Sequence, residues 1–300
     1  MFSRRHPYLF FMLVFSSIMV AAVMGMSLIF VFGTSGAGFD GVIKSGGEKV
    51  GIIELTGAIT ESRDIIHNLK RFRENSSIKA IVIRIDSPGG SVGPSQEIFR
   101  EIRKTVKSKK VIASMGAVAA SGGYYVAAGA DGIVANPGTI TGSIGVIMAY
   151  ANFQELLHKI GLVPVVIKSG EYKDIGSPVR EMAKEERKIL QDFSNRIHRQ
   201  FIMDIAEGRG IDQAKVKALA DGRIFTGEEA KHLGLVDRLG NLEDAVEWAG
   251  RLGGIKGKIS TVYPPEKKFS LIKYLTGSSV KEFISQFVNQ TLYAGYLYRP

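Results

Sequence analysis

A single serine set among small residues is the first candidate for chemistry in this sequence. Ser121 stands between two alanines and two glycines, inside a stretch of mostly small residues that runs from 113 to 147. Small residues allow two backbones, or a backbone and a ligand, to approach closely. At the start of a helix such a serine is often a simple cap, but the free N–H groups there also favour developing negative charge. The stretch fits either a helix cap or an exposed nucleophile.

A second glycine pair follows an earlier predicted strand. The segment Asp-Ser-Pro-Gly-Gly at residues 86–90 separates that strand from a predicted helix. Pro-Gly and Gly-Gly form turns by themselves, but they can also leave a backbone N–H directed into a cleft, where it stabilises an oxyanion. Turns at the carboxyl ends of strands in one parallel sheet can face each other across a cleft. The two glycine turns are therefore more informative together than either is alone.

A nucleophilic serine needs a base, and the sequence offers no obvious histidine. The five histidines are isolated, and none has the small, glycine-rich setting that would let it line a cleft; they are His6, His67, His158, His198 and His232. A Ser-His-Asp triad stays open, because its members need not be close in sequence. Lysine is the other candidate base when burial lowers its pKa. Lys173 lies in a polar loop at residues 169–178, although composition alone does not single it out.

The elements that must position these residues alternate between strand and helix. Apolar and β-branched runs predict strands at residues 50–55, 79–86, 111–114, 133–135, 144–150 and 163–168. Helical spacing predicts helices at residues 60–74, 94–106, 153–160, 181–207, 212–220, 226–233 and 241–249. This alternation is typical of an α/β domain with a parallel sheet, flanking helices and right-handed crossovers.

Composition excludes several classes of site. The 300 residues contain no cysteine, which rules out disulfides, a thiol nucleophile and cysteine-ligated metal. There is no phosphate-loop motif and no His-Glu-x-x-His zinc motif, so we expect no metal and no cofactor. The net charge of +10 is carried by scattered basic residues. We therefore expect an anionic membrane surface rather than nucleic acid as the partner.

The N-terminus predicts a membrane anchor. A basic head at residues 1–7 precedes residues 8–32, which carry no charge and are long enough to span a bilayer. Cleavable signal peptides usually have a shorter apolar region, although a cleaved signal stays open because small residues follow. Basic residues stay in the cytoplasm, which places everything after the anchor outside. The remaining boundaries are a flexible linker at 33–48, a catalytic domain at 49–255 and an apolar, aromatic tail at 256–300, which could pack on the body, on a neighbouring subunit or on the membrane.

Four motifs together resemble the signal peptide peptidase A family in its short form. They are, in chain order, D-S-P-G-G-S, A-A-S-G-G-Y-Y-V-A, G-T-I-T-G-S-I-G-V and S-G-E-Y-K-D-I-G-S-P. The resemblance covers roughly residues 50–253 and implies a crotonase/Clp-protease-like α/β fold after one transmembrane helix. It also implies a serine endopeptidase that hydrolyses remnant signal peptides and similar apolar peptides through an acyl-enzyme.

The resemblance assigns roles residue by residue. Ser121 corresponds to the nucleophile and Lys173 to the general base, while Ser143 is similar to the serine that orients that lysine. The backbone N–H groups of Gly90 and Gly122 correspond to the oxyanion hole. The family further implies a homo-octamer in which the serine and the lysine of one site come from neighbouring subunits.

Two other classes of function stay open at this point. A crotonase-like domain can bind acyl-CoA thioesters through an oxyanion hole, although the N-terminal span and the Ser/Lys pair argue against that. An inactive oligomeric scaffold is the non-enzymatic alternative. Related membrane-bound serine proteases that cleave other membrane or misfolded proteins also fit the same motifs.

Overall fold

The computed structural model describes residues 6–34, 47–265 and 294–297. The chain divides into two compact units, residues 1–47 and 48–300. Most of the predicted head, linker and tail therefore lies outside the described residues. The domain boundaries given above stay predictions.

The first unit contains one long apolar helix. Helix α1 runs from Pro7 to Thr34, and its segment Pro7–Gly25 is long and apolar enough to cross a membrane. Its side chains from Tyr8 to Met24 are exposed in the chain itself. An apolar helix near the N-terminus suits either a membrane anchor or a signal sequence.

The second unit is built on an eight-stranded sheet. The strands of the sheet are β1 (Lys49–Thr56), β2 (Ile78–Ser87), β4 (Lys110–Ala120), β5 (Gly132–Ala135), β6 (Ile140–Gly142), β8 (Ile224–Thr226), β9 (Arg238–Leu239) and β10 (Ser260–Val262). The central order is β10-β1-β2-β4-β5-β9, with β6 pairing with the far end of β4 and β8 pairing with β6. Every pair is parallel except β6 with β8. The predicted parallel sheet is confirmed.

A small antiparallel sheet lies beside the glycine turns. It contains β3 (Gly89–Ser91), β7 (Ile147–Met148) and β11 (Ala294–Leu297), in the order β3-β11-β7. The described part of the C-terminal tail is thus a strand held between two short strands of the body.

Helices cover both faces of the large sheet. They are α2 (Arg63–Glu74), α3 (Val92–Thr105), α4 (Gly122–Ala127), α5 (Gln154–Lys159), α6 (Lys184–Arg209), α7 (Gln213–Leu219), α8 (Gly227–Leu233) and α9 (Leu242–Leu252). On one face, Val50, Val82 and Ile112 pack with Ala245 and Ala249 of α9. The other face forms the larger core with helices such as α2, α3, α4 and α6. Burial on both faces explains why the strands are continuous apolar runs rather than alternating ones.

Two predicted strands differ from the structure. The strand predicted at residues 144–150 is only the two residues of β7, and residues 163–168 form no strand. Pro164 has no N–H to donate to a ladder, and the side chains of Val163, Val165 and Ile167 are 74%, 84% and 97% exposed. The apolar pattern there reflects an uncovered surface segment, not a buried strand.

Candidate active site

Ser121 lies at the junction of β4 and α4 in a strained backbone conformation. Its φ is 54° and its ψ is −116°, a region that costs an L-residue about 1–3 kcal/mol and persists only where the surroundings enforce it. Its N–H donates to the Gly142 carbonyl at 2.8 Å, and its carbonyl accepts from the Tyr125 N–H at 2.8 Å. The side chain makes no cap hydrogen bond to α4. Ser121 is therefore not the simple helix cap that its sequence position also allowed.

The helix that follows Ser121, α4, is held by contacts with α3 and α6. The Tyr125 ring packs against Phe99 and Phe201, with ring centroids 5.2 Å and 4.7 Å away. The Tyr125 hydroxyl donates to the carboxylate of Asp204, and Arg100 donates to the same carboxylate at 2.9 Å. These contacts tie α4 to α3 and α6 and so supply the rigidity that holds the Ser121 backbone in place.

Ser143 shares the unusual backbone geometry of Ser121. Its φ is 50°, and within the described residues these two serines are the only non-glycine residues with positive φ. The Ser143 N–H donates to the Arg223 carbonyl at 2.8 Å. Arg223 also pairs with Asp221, and its hydrogen bond lowers the pKa of the Asp221 carboxyl to about 2. The Asp221–Arg223 pair holds the turn at residues 221–223, and this turn supplies the carbonyl that accepts the Ser143 N–H.

The two glycine turns are in direct contact. A Cβ atom added to Gly122 would lie 3.1 Å from the Gly90 nitrogen and 3.2 Å from the Gly89 Cα. A Cβ on Gly90 would lie 2.2 Å from the Ile59 carbonyl oxygen, so that site accepts only glycine without rearrangement. The structure thus brings Gly90 and Gly122 together beside Ser121, as two backbone donors of one oxyanion hole would have to be placed.

Ser121 and Ser143 line one cavity of about 320 Å³. The other lining residues are Gly145, Val146, Ile147, Gln191, Ser194, Asn195, His198, Ala220, Asp221 and Gly222. Although Ser121 is only 1% exposed, it is one of the residues that line this cavity. The described residues contain no group of three or more His, Cys, Asp or Glu side chains that could hold a metal ion.

The expectation that no histidine lines a cleft is wrong for His198. His198 lines the cavity of Ser121, and its Nε2 atom is buried without a hydrogen-bond partner among the described residues. A signal was present in the sequence, because Gln191, Ser194, Asn195 and His198 follow one another at helical spacing. They form a polar face of α6 beside its apolar stripe.

Lys173 is not brought to this cavity within the described part of the chain. It lies in an exposed turn between α5 and α6, where its N–H donates to the Gly170 carbonyl at 3.2 Å. One chain therefore places Ser121, Ser143, Gly90 and Gly122 together and leaves the predicted base elsewhere.

Comparison with known families identifies the class of this site. Residues 103–256, about half of the chain, match the model of peptidase family S49. The chain belongs to this family. The S49 assignment agrees with a serine at the end of a central strand of a parallel sheet, and S49 members share a Clp-protease-like fold. The predicted fold class is confirmed, and the chain is a serine peptidase.

Named relatives of this S49 peptidase point the same way. A protein of Synechocystis named as a protease is 46% identical over 234 residues, which cover 77% of this chain and 83% of that protein. A protein of Enterococcus faecium named as a signal peptide peptidase is 40% identical over 62% of this chain and 54% of its own length. A chloroplastic serine protease of Arabidopsis thaliana is 35% identical over 77% of this chain and 34% of its own length. The predicted relation to signal peptide peptidase A is confirmed at the level of an SppA-type serine peptidase.

Proposed function

We propose that this S49 peptidase hydrolyses remnant signal peptides and similar apolar peptides through a Ser121/Lys173 dyad. Neutral Lys173 accepts the hydroxyl proton as the Ser121 Oγ attacks the scissile carbonyl, and the N–H groups of Gly90 and Gly122 stabilise the oxyanion. Lys173 then protonates the leaving amine, and water hydrolyses the acyl-enzyme. Ser143 orients the lysine by a hydrogen bond.

One observation carries this assignment. The two serines chosen from the motifs are the two described non-glycine residues with positive φ, and both line one cavity. Backbone strain clusters at functional sites because surrounding structure is selected to enforce it there. A pair of structural cap serines would not be expected to share this geometry.

The support for an extended peptide substrate comes from the small sheet. Strand β11 pairs antiparallel with β3, where Tyr296 is opposite Gly90, and with β7, where Gly295 is opposite Ile147. The edges of β3 and β7 thus accept an extended backbone next to the glycine turn. Main-chain pairing of this kind binds peptides with little dependence on their sequence, which suits varied apolar segments.

We also propose that the site is completed between copies of the chain, in a homo-octamer. Two features support this assembly: Lys173 lies away from the Ser121 cavity, and the apolar side chains of Val163, Val165 and Ile167 are exposed. Exposed apolar surface of this kind marks an interaction site. The octamer itself comes from the family resemblance.

The proposed location is a cell membrane, with α1 as a single anchor and the catalytic domain on the extracytoplasmic side. Arg4 and Arg5 precede the uncharged helix, and basic residues flanking a span stay in the cytoplasm. A peptidase held at the membrane would meet signal peptides where they are released.

The test is cleavage of a synthetic signal peptide by the full chain in detergent micelles. Ser121→Ala and Lys173→Ala are each expected to lower kcat by about 10³-fold or more, since nucleophile and base act as a unit. Ser108→Ala and Lys107→Ala change the same residue types at exposed positions after α3 and serve as matched controls. Thermal unfolding of each variant separates loss of chemistry from loss of fold.

The opposite pattern would overturn the dyad. If Lys173→Ala kept the wild-type turnover while His198→Gln lost it, the histidine in the cavity would be the base. If the wild-type chain cleaved an unrelated protein but not the signal peptide, and Ser121→Ala cleaved neither, the substrate assignment would be wrong while the serine peptidase class would stand.

A further inference from the structure

Asp174, the residue that follows the proposed base Lys173, lies between two cationic side chains, those of Lys168 and Arg180. These three side chains form a clamp. Asp174 accepts from the Lys168 Nζ at 2.7 Å on Oδ1, from the Arg180 Nε at 2.8 Å on Oδ2 and from the Arg180 Nη2 at 2.9 Å on Oδ1. Arg180 also donates to the Asp174 backbone carbonyl at 3.2 Å. Both carboxylate oxygens of Asp174 are therefore occupied, and one guanidinium contacts both the side chain and the backbone of the residue next to Lys173.

Arg180 is held in turn by the first turn of α6. Its Nη1 donates to Glu186 Oε2 at 2.8 Å, and its Nη2 donates to Glu186 Oε1. Glu186 is 3% exposed, and its Oε2 also accepts from the Ala183 N–H at 2.9 Å. Bidentate pairs between Arg and carboxylate fix geometry as well as charge. Arg180 thus links the loop of Lys173 to a rigid helix.

The clamp has a chemical consequence for a lysine that must be neutral. A carboxylate beside an ammonium group favours the charged form, whereas a general base has to be deprotonated. Hydrogen bonds from Arg180 and then Lys168 hold the pKa of the Asp174 carboxyl well below its usual range, so Asp174 is ionised. Among the described ion pairs of this carboxylate, none is with Lys173.

We propose that Arg180 is a positioning residue for Lys173. It occupies Asp174, which would otherwise pair with the neighbouring lysine and keep it protonated, and it fixes the loop on α6 so that Lys173 is presented at a constant place. The proposal rests on the proposed function, because it assigns a partner to the general base.

The titratable and charged groups near the clamp come from three described segments: the loop itself, the start of α6 and the segment that contains Tyr150. Lys168 and Arg180 are the direct partners of Asp174, and Glu186 lies across Arg180. Tyr150 packs from the preceding segment, where a Cβ on Gly176 would lie 2.4 Å from its ring. Burial raises the pKa of Tyr150, so the phenol stays neutral in the range where the clamp acts. Glu171 and Tyr172 are chain neighbours, and Glu171 contributes its backbone carbonyl to Lys168.

The experiment is the pH dependence of kcat/KM for signal-peptide cleavage by the full chain in detergent micelles. In Arg180→Ala, Asp174 keeps Lys168 as its only described cationic partner, so its carboxylate favours protonated Lys173 more strongly than in the wild type. The acid limb should therefore move up by about 0.5–1 pH unit. At neutral pH, kcat should fall by about tenfold with little change of KM, since misplacement of a reacting group affects the chemical step. Arg180→Lys keeps a charge without the bidentate geometry and should lie between wild type and Arg180→Ala.

The double variant Arg180→Ala/Asp174→Asn separates positioning from general destabilisation. Removing the carboxylate should return the acid limb to the wild-type pH, even if kcat stays low. Asp174→Asn alone removes the anion and leaves the charges of Lys168 and Arg180 in place, so the acid limb should lie at or below its wild-type pH and not above it. Thermal unfolding and mass in solution are measured for each variant, so that only folded, assembled protein is compared.

The proposal is wrong if Arg180→Ala lowers activity equally at all pH values, or if the acid limb of the double variant Arg180→Ala/Asp174→Asn stays where it is in Arg180→Ala. Either result would reduce Arg180 to a structural role in the loop. Failure of the proposed function itself looks different, because Lys173→Ala would then keep its activity whatever Arg180 does.

Discussion

At the scale of residues, the site depends on backbone conformations that residue type alone does not reveal. Ser121 and Ser143 adopt positive φ, a region that glycine enters freely and serine does not. The neighbouring glycines are required for a different reason, which is close approach. Gly122 leaves no room for a Cβ between Ser95 and the Gly90 nitrogen. The motifs identified these positions, but only the structure explains why the residue types are needed.

Gly122→Ala tests the contact between the two glycine turns. The added methyl would lie 2.8 Å from the Ser95 Oγ and 3.1 Å from the Gly90 nitrogen, so it should displace the N–H group of Gly90, one of the two proposed oxyanion donors. We expect kcat to fall by about 10²-fold, the usual cost of losing one such donor, with KM little changed. The measurement is steady-state peptide cleavage together with thermal unfolding.

Gly93→Ala is the matched control for that variant. Gly93 lies in the first turn of α3, and a Cβ there would meet nothing within 4 Å. The Gly93→Ala variant should keep wild-type kcat. Equal losses of kcat in both variants would mean that the effect of Gly122→Ala is not local. A Gly122→Ala protein with wild-type kcat would show that the close contact between Gly122 and Gly90 is not needed for catalysis.

At the scale of elements, the sequence predicted the sheet better than the pieces around the site. The runs at residues 50–55 and 79–86 became β1 and β2 because burial on both faces makes a strand continuously apolar. β4 extends to Ala120, well beyond the predicted 111–114, and the β2–β4 register shifts after Ile85. Small residues carry little strand signal, so this extension to Ser121 could not be read from the pattern.

The small sheet depended on contacts between distant segments. β3 and β7 are only three and two residues long, and their partner β11 is more than 140 residues further along the chain. No local periodicity encodes such pairing. The opposite error occurred at residues 163–168, where a run of β-branched residues resembles a strand although the side chains of Val163, Val165 and Ile167 are exposed.

Deletion of residues 294–300 tests whether β11 and a peptide substrate use the same strand edges. Removing β11 frees the edges of β3 and β7 that it pairs with, so a peptide no longer competes with the tail for them. We expect a severalfold decrease of KM with kcat unchanged, because apparent affinity scales with the fraction of competent sites. Deletion of residues 298–300 alone keeps β11 and is the control. An unchanged KM in the longer deletion would show that peptides bind elsewhere.

At the scale of the whole molecule, the described part of one chain brings together the proposed nucleophile Ser121, Ser143 and the two glycine turns, while the proposed base Lys173 does not line their cavity. Lys173 is held on a separate loop that Arg180 fixes to α6. Exposed apolar side chains lie close to that loop in sequence, at residues 163–167. The composition and residue spacing of one sequence do not indicate that a site is shared between copies. The expectation of a shared site came from the family resemblance. We therefore expect that isolated copies are inactive and that assembly creates the dyad.

The most direct measurement is complementation between two inactive variants. Ser121→Ala and Lys173→Ala chains are produced together from one cell, purified as mixed assemblies and assayed for signal-peptide cleavage beside each variant alone. If Ser121 and Lys173 act together from neighbouring copies, random mixing in equal amounts should restore about a quarter of wild-type activity, since half of the copies retain each residue. Each variant alone should be inactive. Mixed assemblies as inactive as the separate variants would contradict a dyad shared between copies, and full activity of either variant alone would contradict the dyad itself.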